Sequence, residues 1–169
     1  MTEASSQQPQ ITILGIGNIL LTDEGFGVRV IEKLFDEYEF PDHVAVVEGG
    51  VLGIHLLGTL SKADHLIVVD AVKNKQPPGT LYRLEKEELP ERILMKNSLH
   101  QTDFLETLTL CEMIDKAPQT IVVLGAEPED IVTHSVELTP AVAAQVDETV
   151  TRVLAELDRL GVSYEKRRA

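Results

Sequence analysis

Residues 11–38 read ITILGIGNILLTDEGFGVRVIEKLFDEY, and this stretch decides the fold class. Its first six residues form an apolar run that is typical of a buried strand, and glycines at positions 15 and 17 predict a tight turn after it. A helix is predicted from about Asp23, because apolar residues then recur at helical spacing and acids in a first turn suit the helix dipole. A strand, a turn and a helix in this order indicate an α/β unit.

The rest of the chain continues the alternation of strands and helices. Short apolar segments predict further strands at 44–47, 66–69, 80–84 and 120–124, of which 80–84 has the alternation of an edge strand. Helical spacing predicts helices over about 52–61, from 98 onward, and after a cap at Thr139. The pattern indicates an α/β fold with a mostly parallel sheet and helices on both faces. One domain is expected over 11–162, after a disordered lead at 1–10 and before a tail at 163–169.

The composition excludes several classes of protein. The chain has 169 residues, with 15 Lys+Arg against 28 Asp+Glu and a formal net charge of -13, a field that repels the phosphates of nucleic acids. No apolar run is long enough to span a membrane and no signal peptide precedes the first strand, so a cytoplasmic protein without a membrane partner is expected. The single cysteine, Cys111, excludes an intrachain disulfide and is predicted to be a core residue, not a nucleophile.

The functional residues are expected beyond the carboxyl ends of the strands, where open α/β sheets build their sites. The groups predicted there are Gly17-Asn18, Asp23, Glu24, Glu48-Gly49-Gly50, Asp70 and Glu127, with His100 near the start of a helix. This set contains acids and one imidazole, and it lacks the basic groups of a phosphate cradle. Gly15-Ile16-Gly17 is an incomplete dinucleotide fingerprint, since Leu20 stands where the third glycine belongs, so nucleotide binding is the weakest alternative.

Glu24, Asp70 and His100 each have an ordinary structural explanation when taken alone. Glu24 and His100 suit the first turn of a helix, and Asp70 suits a turn that closes a strand. Together, two carboxylates and one imidazole suit a borderline divalent ion and leave coordination positions open for a substrate. The other histidines are predicted to be surface or capping residues, and no serine stands in a nucleophile elbow. The residues therefore favour an open metal site over a serine hydrolase.

The segment Gly15–Val28, GIGNILLTDEGFGV, resembles the opening signature of the hydrogenase maturation protease family. Shorter matches follow in the same order at Gly49-Gly50, Asp70-Ala71, Pro78-Gly79-Thr80, Ser98-Leu99-His100-Gln101 and Leu138-Thr139-Pro140-Ala141-Val142. The resemblance extends from about residue 11 to residue 160. One departure follows the second strand, where the family often has Asp-Gly-Gly and this chain has Glu48-Gly49-Gly50, so Glu48 is an accessory candidate only.

The resemblance implies a three-layer fold of the phosphorylase/hydrolase-like type, with a twisted, mainly parallel five-stranded sheet between helices. It implies an endopeptidase, of the aspartyl protease kind, that removes the C-terminal extension of the nickel–iron hydrogenase large-subunit precursor after nickel insertion. The metal-binding and catalytic residues of the family map onto Glu24, Asp70 and His100. They are expected to sense nickel supplied by the precursor, and Cd²⁺ or Zn²⁺ is expected to occupy the site in vitro.

Two further expectations complete the sequence-based prediction. The protein is expected to act as a monomer on the hydrogenase large-subunit precursor. An alternative from another class stays open on the residues alone, namely a nickel-binding protein of metallocentre assembly that uses the same ligands without catalysing hydrolysis.

Overall fold

A computed structural model describes residues 8–50, 54–89 and 99–168, without the side chains of 99–103. The strands are β1 (Ile11–Ile16), β2 (Tyr38–Glu39), β3 (Val44–Gly50), β4 (His65–Ala71), β5 (Leu81–Glu85), β6 (Thr120–Ala126) and β7 (Glu165–Lys166). Five of them form one sheet in the order β3-β1-β4-β6-β5, and β2 pairs with β7 in a small separate sheet. The predicted five-stranded sheet is therefore confirmed.

Four neighbouring strands of the large sheet are parallel. Strand β1 pairs in parallel with β3 and with β4, and β4 pairs in parallel with β6. Strand β5 is antiparallel to β6 and lies at an edge, as the alternation over 80–84 predicts. The carboxyl ends of the four parallel strands consequently meet at one side of the sheet, which is called the carboxyl edge below.

Helices cover both faces of the sheet. They are α1 (Phe26–Glu37), α2 (Leu57–Leu60), α3 (Leu99–Met113), α4 (Pro140–Ala143) and α5 (Val146–Arg159). On one face Ile31 of α1 and Leu157 of α5 are fully buried in a cluster that includes Ile13. On the other face Leu60 of α2 and Phe104 of α3 pack in a second cluster. The predicted three-layer α/β fold is confirmed.

Two predicted helices differ from the structure at their starts. A 3-10 turn, Thr22–Gly25, precedes α1, which begins only at Phe26 and not near Asp23. In this 3-10 turn Asp23 is buried, and its carboxylate accepts hydrogen bonds from a distant loop. Of the helix predicted over 52–61, the described residues form a 3-10 turn, Ile54–Leu56, followed by the short α2. The capping box predicted at Ser98 lies outside the described residues.

Thr139 occupies the predicted cap position, and Pro140 begins α4. The side chain of Thr139 makes no capping hydrogen bond, however, because its hydroxyl donates to Asp23 instead. The single helix predicted after Thr139 is divided into α4 and α5. Cys111 is fully buried as predicted, and burial raises the pKa of its thiol. In the part of the chain that the structure describes, no helix is both long enough and apolar enough to cross a membrane.

Candidate functional site

Gly17 connects the end of β1 to the turn that carries Glu24 and to the end of β3. Its backbone has φ +139, and a Cβ built there would lie 1.8 Å from the carbonyl oxygen of Glu24. The N–H of Gly17 donates to the carbonyl oxygen of Gly50 over 3.0 Å. Only glycine tolerates both this φ and this close approach, so the residue fixes the Glu24 turn against the carboxyl edge.

A second glycine seats the first turn of α1 on the end of β4. A Cβ added to Gly27 would meet the carbonyl oxygen of Val69 at 2.2 Å and that of Ile16 at 2.4 Å. Helix and sheet can approach this closely only without a side chain at this position. The approach brings the turn that carries Glu24 into contact with β4, the strand that carries Asp70.

Glu24 is a half-buried carboxylic acid in this turn. Burial raises the pKa of its side chain above the ordinary value for glutamate. Partial loss of water disfavours the charged carboxylate, and a nearby cation would restore its stability. The position and the electrostatics of Glu24 are therefore those of a group suited to meet a positive charge.

Asp70 is a buried acid near the end of β4, with a relative exposure of 5%. It lies opposite Gly125 of β6, and its Oδ1 accepts a hydrogen bond of 2.8 Å from the N–H of Ala71. The strand holds this carboxylate more rigidly than a loop would. The structure thus places Asp70 at the carboxyl edge, where the sequence predicts it.

His100 is the second residue of α3, and its side chain lies outside the described part of the structure. Among the side chains that are described, no group of three His, Cys, Asp or Glu residues is placed to hold a metal ion. Glu24 and Asp70 offer oxygen donors of the kind that divalent ions accept. The three-ligand set with His100 stays a prediction.

Asp23 is among the acids predicted at the carboxyl ends of the strands, but its structural role was not predicted. It is fully buried, and its carboxylate accepts hydrogen bonds from the backbone N–H groups of Glu129 at 2.8 Å and Asp130 at 2.9 Å. It also accepts bonds from the N–H of Thr139 at 2.8 Å and from the hydroxyl of Thr139. Asp23 therefore anchors the loop after β6 to the turn that carries Glu24.

Glu127 lies at the carboxyl edge as predicted, but its carboxylate serves the protein's own backbone. The side chain is buried and accepts hydrogen bonds from the N–H groups of Asn74 at 2.7 Å and Lys75 at 3.0 Å, and from the hydroxyl of Tyr82. It fixes the loop between β4 and β5. Glu48, in contrast, is exposed near the end of β3, and its accessory role is untested.

A cavity of about 290 Å³ lies at the amino ends of β4 and β6, away from the candidate site. Part of its lining is a network of ion pairs. The nearly buried carboxylate of Glu156 binds Arg83 at 2.6 Å and Arg159 at 2.7 Å. Burial acts to raise the pKa of Glu156, but the hydrogen bonds and charges of Arg83 and Arg159 outweigh it and lower that pKa. We assign this network to stability, because each carboxylate oxygen already meets a cation.

Comparisons with known proteins agree over nearly the whole chain. The family model of HycI, a hydrogenase maturation protease, matches residues 28–156. The Hydrogenase 2 maturation protease of Escherichia coli (strain K12) is 40% identical over 161 residues, covering 95% of this chain and 98% of that protein. The hydrogenase expression/formation protein HupD of Bradyrhizobium diazoefficiens is 38% identical over 166 residues, covering 98% and 86%. The solved structure of the hydrogenase maturating endopeptidase HybD from E. coli has a TM-score of 0.89 at 39% identity, covering 94% of this chain and 98% of that one.

Proposed function

This chain belongs to the hydrogenase maturation protease family and is a peptidase, and from that premise we propose that it removes the C-terminal extension of the nickel–iron hydrogenase large-subunit precursor after nickel insertion. The observation that carries the proposal is the position of Glu24 and Asp70 at the carboxyl edge of the sheet. Two acids at this edge suit a divalent metal in a chain whose relatives are named as proteases of hydrogenase maturation.

The three site residues have distinct tasks in this proposal. Glu24 contacts the nickel that the precursor brings, and the cation offsets the loss of water that raises the pKa of this acid. Asp70 offers a carboxylate held by a strand, and His100 supplies a nitrogen donor. The same set would accept Cd²⁺ or Zn²⁺ in vitro, because mixed oxygen and nitrogen ligands select poorly among borderline divalent ions.

The reaction is the hydrolysis of one peptide bond. The oxygen of a water molecule bonds to the scissile carbonyl carbon, the C–N bond breaks, and the leaving amine takes up a proton. A carboxylate of the site can accept the proton of the attacking water, as in aspartyl proteases, or the substrate's metal can polarise the scissile carbonyl.

Selection of the substrate would rest on the metal that it carries. Discrimination is a difference in affinity between nickel-loaded and nickel-free precursor. Losing a metal–ligand contact costs several kcal/mol, and each ~1.4 kcal/mol is a tenfold change in affinity. The protein should therefore process the loaded precursor and ignore the empty one, and should also ignore denatured casein and short peptides that span the cleavage sequence.

A gel-shift processing assay tests the proposal on precursor purified with and without nickel. The matched control for Glu24→Gln is Asp36→Asn, since Asp36 is an exposed acid on α1 away from the site. We expect cleavage of loaded precursor by the wild type and by Asp36→Asn, and none by Glu24→Gln. Equal cleavage of loaded and empty precursor would refute nickel sensing.

The non-enzymatic alternative is not favoured, because the matching relatives are named as proteases. The same assay distinguishes the two, since a metallocentre-assembly protein would bind nickel-loaded precursor without any loss of mass.

A further inference from the structure

Within the described part of the chain, strand β3 is an edge strand with little of the usual protection. In the residues that the structure describes, it pairs with β1 on one side and ends the strand order on the other. Its seven residues read VAVVEGG, with Glu48 as the only charge and no proline. Natural proteins protect exposed edges with charges, proline or short length, because an open edge accepts another extended chain.

The other edge of the same sheet shows that contrast. Strand β5 carries Arg83 and Glu85, which form an ion pair of 2.7 Å. Charges of this kind discourage pairing with a further strand. Of the two outer strands of the sheet, β3 is thus the less protected, and it ends at the side of the sheet where Glu24 and Asp70 lie.

A groove runs beside β3 on the face that carries α2. It has a volume of about 330 Å³, and its lining includes Ala45, Val47, His55, Gly58, Thr59 and Lys62. Ala45 and Val47 lie on this face because side chains alternate along a strand, and Val44 is buried in the core on the other face. The lining also includes Gln10, Ile11 and Thr12 at the start of β1, so the groove lies over the amino-terminal part of both strands. A strand added to β3 would carry every second side chain on the same face as this groove.

The carboxyl end of β3 contacts the loop that connects β1 to the turn of Glu24. The carbonyl oxygen of Gly50, the last residue of β3, accepts the N–H of Gly17. Gly17 in turn lies against the carbonyl of Glu24. A peptide that lies along the open side of β3 and continues beyond the level of Gly50 would therefore come to the loop that leads from β1 to Glu24.

We propose that the C-terminal segment of the hydrogenase large-subunit precursor adds to β3 as an extended strand and thereby presents its scissile bond to Glu24. This inference rests on the proposed function, which supplies an extended peptide as substrate. Main-chain hydrogen bonds to β3 supply affinity with little dependence on sequence, and the groove reads alternate side chains. Lys62 in the lining favours acidic or neutral polar side chains at that point.

Gly58 offers a way to fill the groove without disturbing the fold. No atom lies within 4 Å of a Cβ built at this position, so a larger side chain has room in the free protein. With nickel-loaded precursor, we expect Gly58→Trp to raise KM about tenfold or more, equivalent to ~1.4 kcal/mol, with kcat within about twofold. Gly58→Ala should behave as wild type, and so should Ala155→Trp, which places the same bulk on the exposed side of α5.

A proline scan of the precursor's extension provides an independent test. Every second N–H of an added strand donates to β3, and proline lacks this donor. Substitution by proline should therefore block cleavage at alternate positions and be tolerated between them. Loss or tolerance without this period of two would refute strand addition.

The outcomes separate the two proposals. If the wild type does not cleave loaded precursor, the proposed function fails and strand addition fails with it. If the wild type cleaves and Gly58→Trp has an unchanged KM, only strand addition is refuted. If sedimentation shows a wild-type dimer that Gly58→Trp dissociates, the edge pairs with a second copy of this chain and the proposal is overturned.

Discussion

Replacement of Asp23 by asparagine removes a buried anchor and keeps the size of the side chain. The wild-type carboxylate receives N–H groups on both oxygens, from Glu129 and Asp130 on Oδ2 and from Thr139 on Oδ1. Asparagine retains one acceptor oxygen and turns an amide N–H₂ toward the remaining donors. One or two backbone N–H groups consequently lose their partner.

The expected cost follows from this count. A buried donor without a partner costs ~1–3 kcal/mol, so we expect Asp23→Asn to lower the free energy of unfolding by about 3 kcal/mol. For a chain of this size the melting temperature should then fall by roughly 6–12 °C. The loss should be largest in the loop after β6, because the broken bonds connect that loop to the Glu24 turn.

Urea denaturation followed by circular dichroism measures the effect. The midpoint should fall while the m-value stays that of the wild type, since the change acts on the folded state. Asp36→Asn, at an exposed position of α1, is the matched control and should stay within ~0.5 kcal/mol. Equal midpoints for Asp23→Asn and Asp36→Asn would refute the anchoring role.

Three further predictions concern individual side chains. Glu24→Gln should abolish processing without lowering the melting temperature at neutral pH. Burial raises the pKa of Glu24, so the folded state binds the proton more tightly than the unfolded state does. The free energy of unfolding of the wild type therefore falls as pH rises through that pKa. A clear drop in its melting temperature would instead make Glu24 structural. His100→Ala should strongly weaken binding of Ni²⁺, Cd²⁺ or Zn²⁺ in calorimetry, and an unchanged affinity would remove His100 from the site. Arg83→Met should cost about 2 kcal/mol at neutral pH, between the values for surface and buried pairs. That cost should vanish on acidification. The pKa of Glu156 is lowered in the folded state, so the stability that its charged form contributes is lost as pH falls through that pKa. A cost that does not change with pH in thermal denaturation would contradict the ion-pair explanation.

The sheet could be predicted from sequence because its signal is local. Apolar runs such as 66–69 identify the buried strands, although β4 also includes Asp70 and Ala71, which stay in register with Gly125 and Ala126 of β6. The position of Glu24 and Asp70 at one edge likewise follows from the rule that parallel strands share their carboxyl ends.

What sequence reasoning missed depends on distant contacts. Asp23 and Glu24 are adjacent acids, and no local pattern tells which of them is buried. Asp23 is the buried one because the N–H and the hydroxyl of Thr139 donate hydrogen bonds to its carboxylate, and these groups meet only in the folded chain. Glu127 is similar, since its partners Asn74 and Lys75 lie in another loop. The assignment of His100 as a ligand rests on its residue type and on family resemblance, and it stays a prediction.

The contact between Asp23 and Thr139 also has a consequence for folding kinetics. The two residues are 116 positions apart, so their hydrogen bonds form only after most of the chain has found its place. Closing so long a loop carries an entropy cost that must be met before the contact contributes stability. The hydrogen bonds that anchor the turn of Glu24 to Thr139 are therefore expected to form late in folding. During synthesis the hydrogen bonds between Asp23 and Thr139 cannot form until residue 139 has emerged.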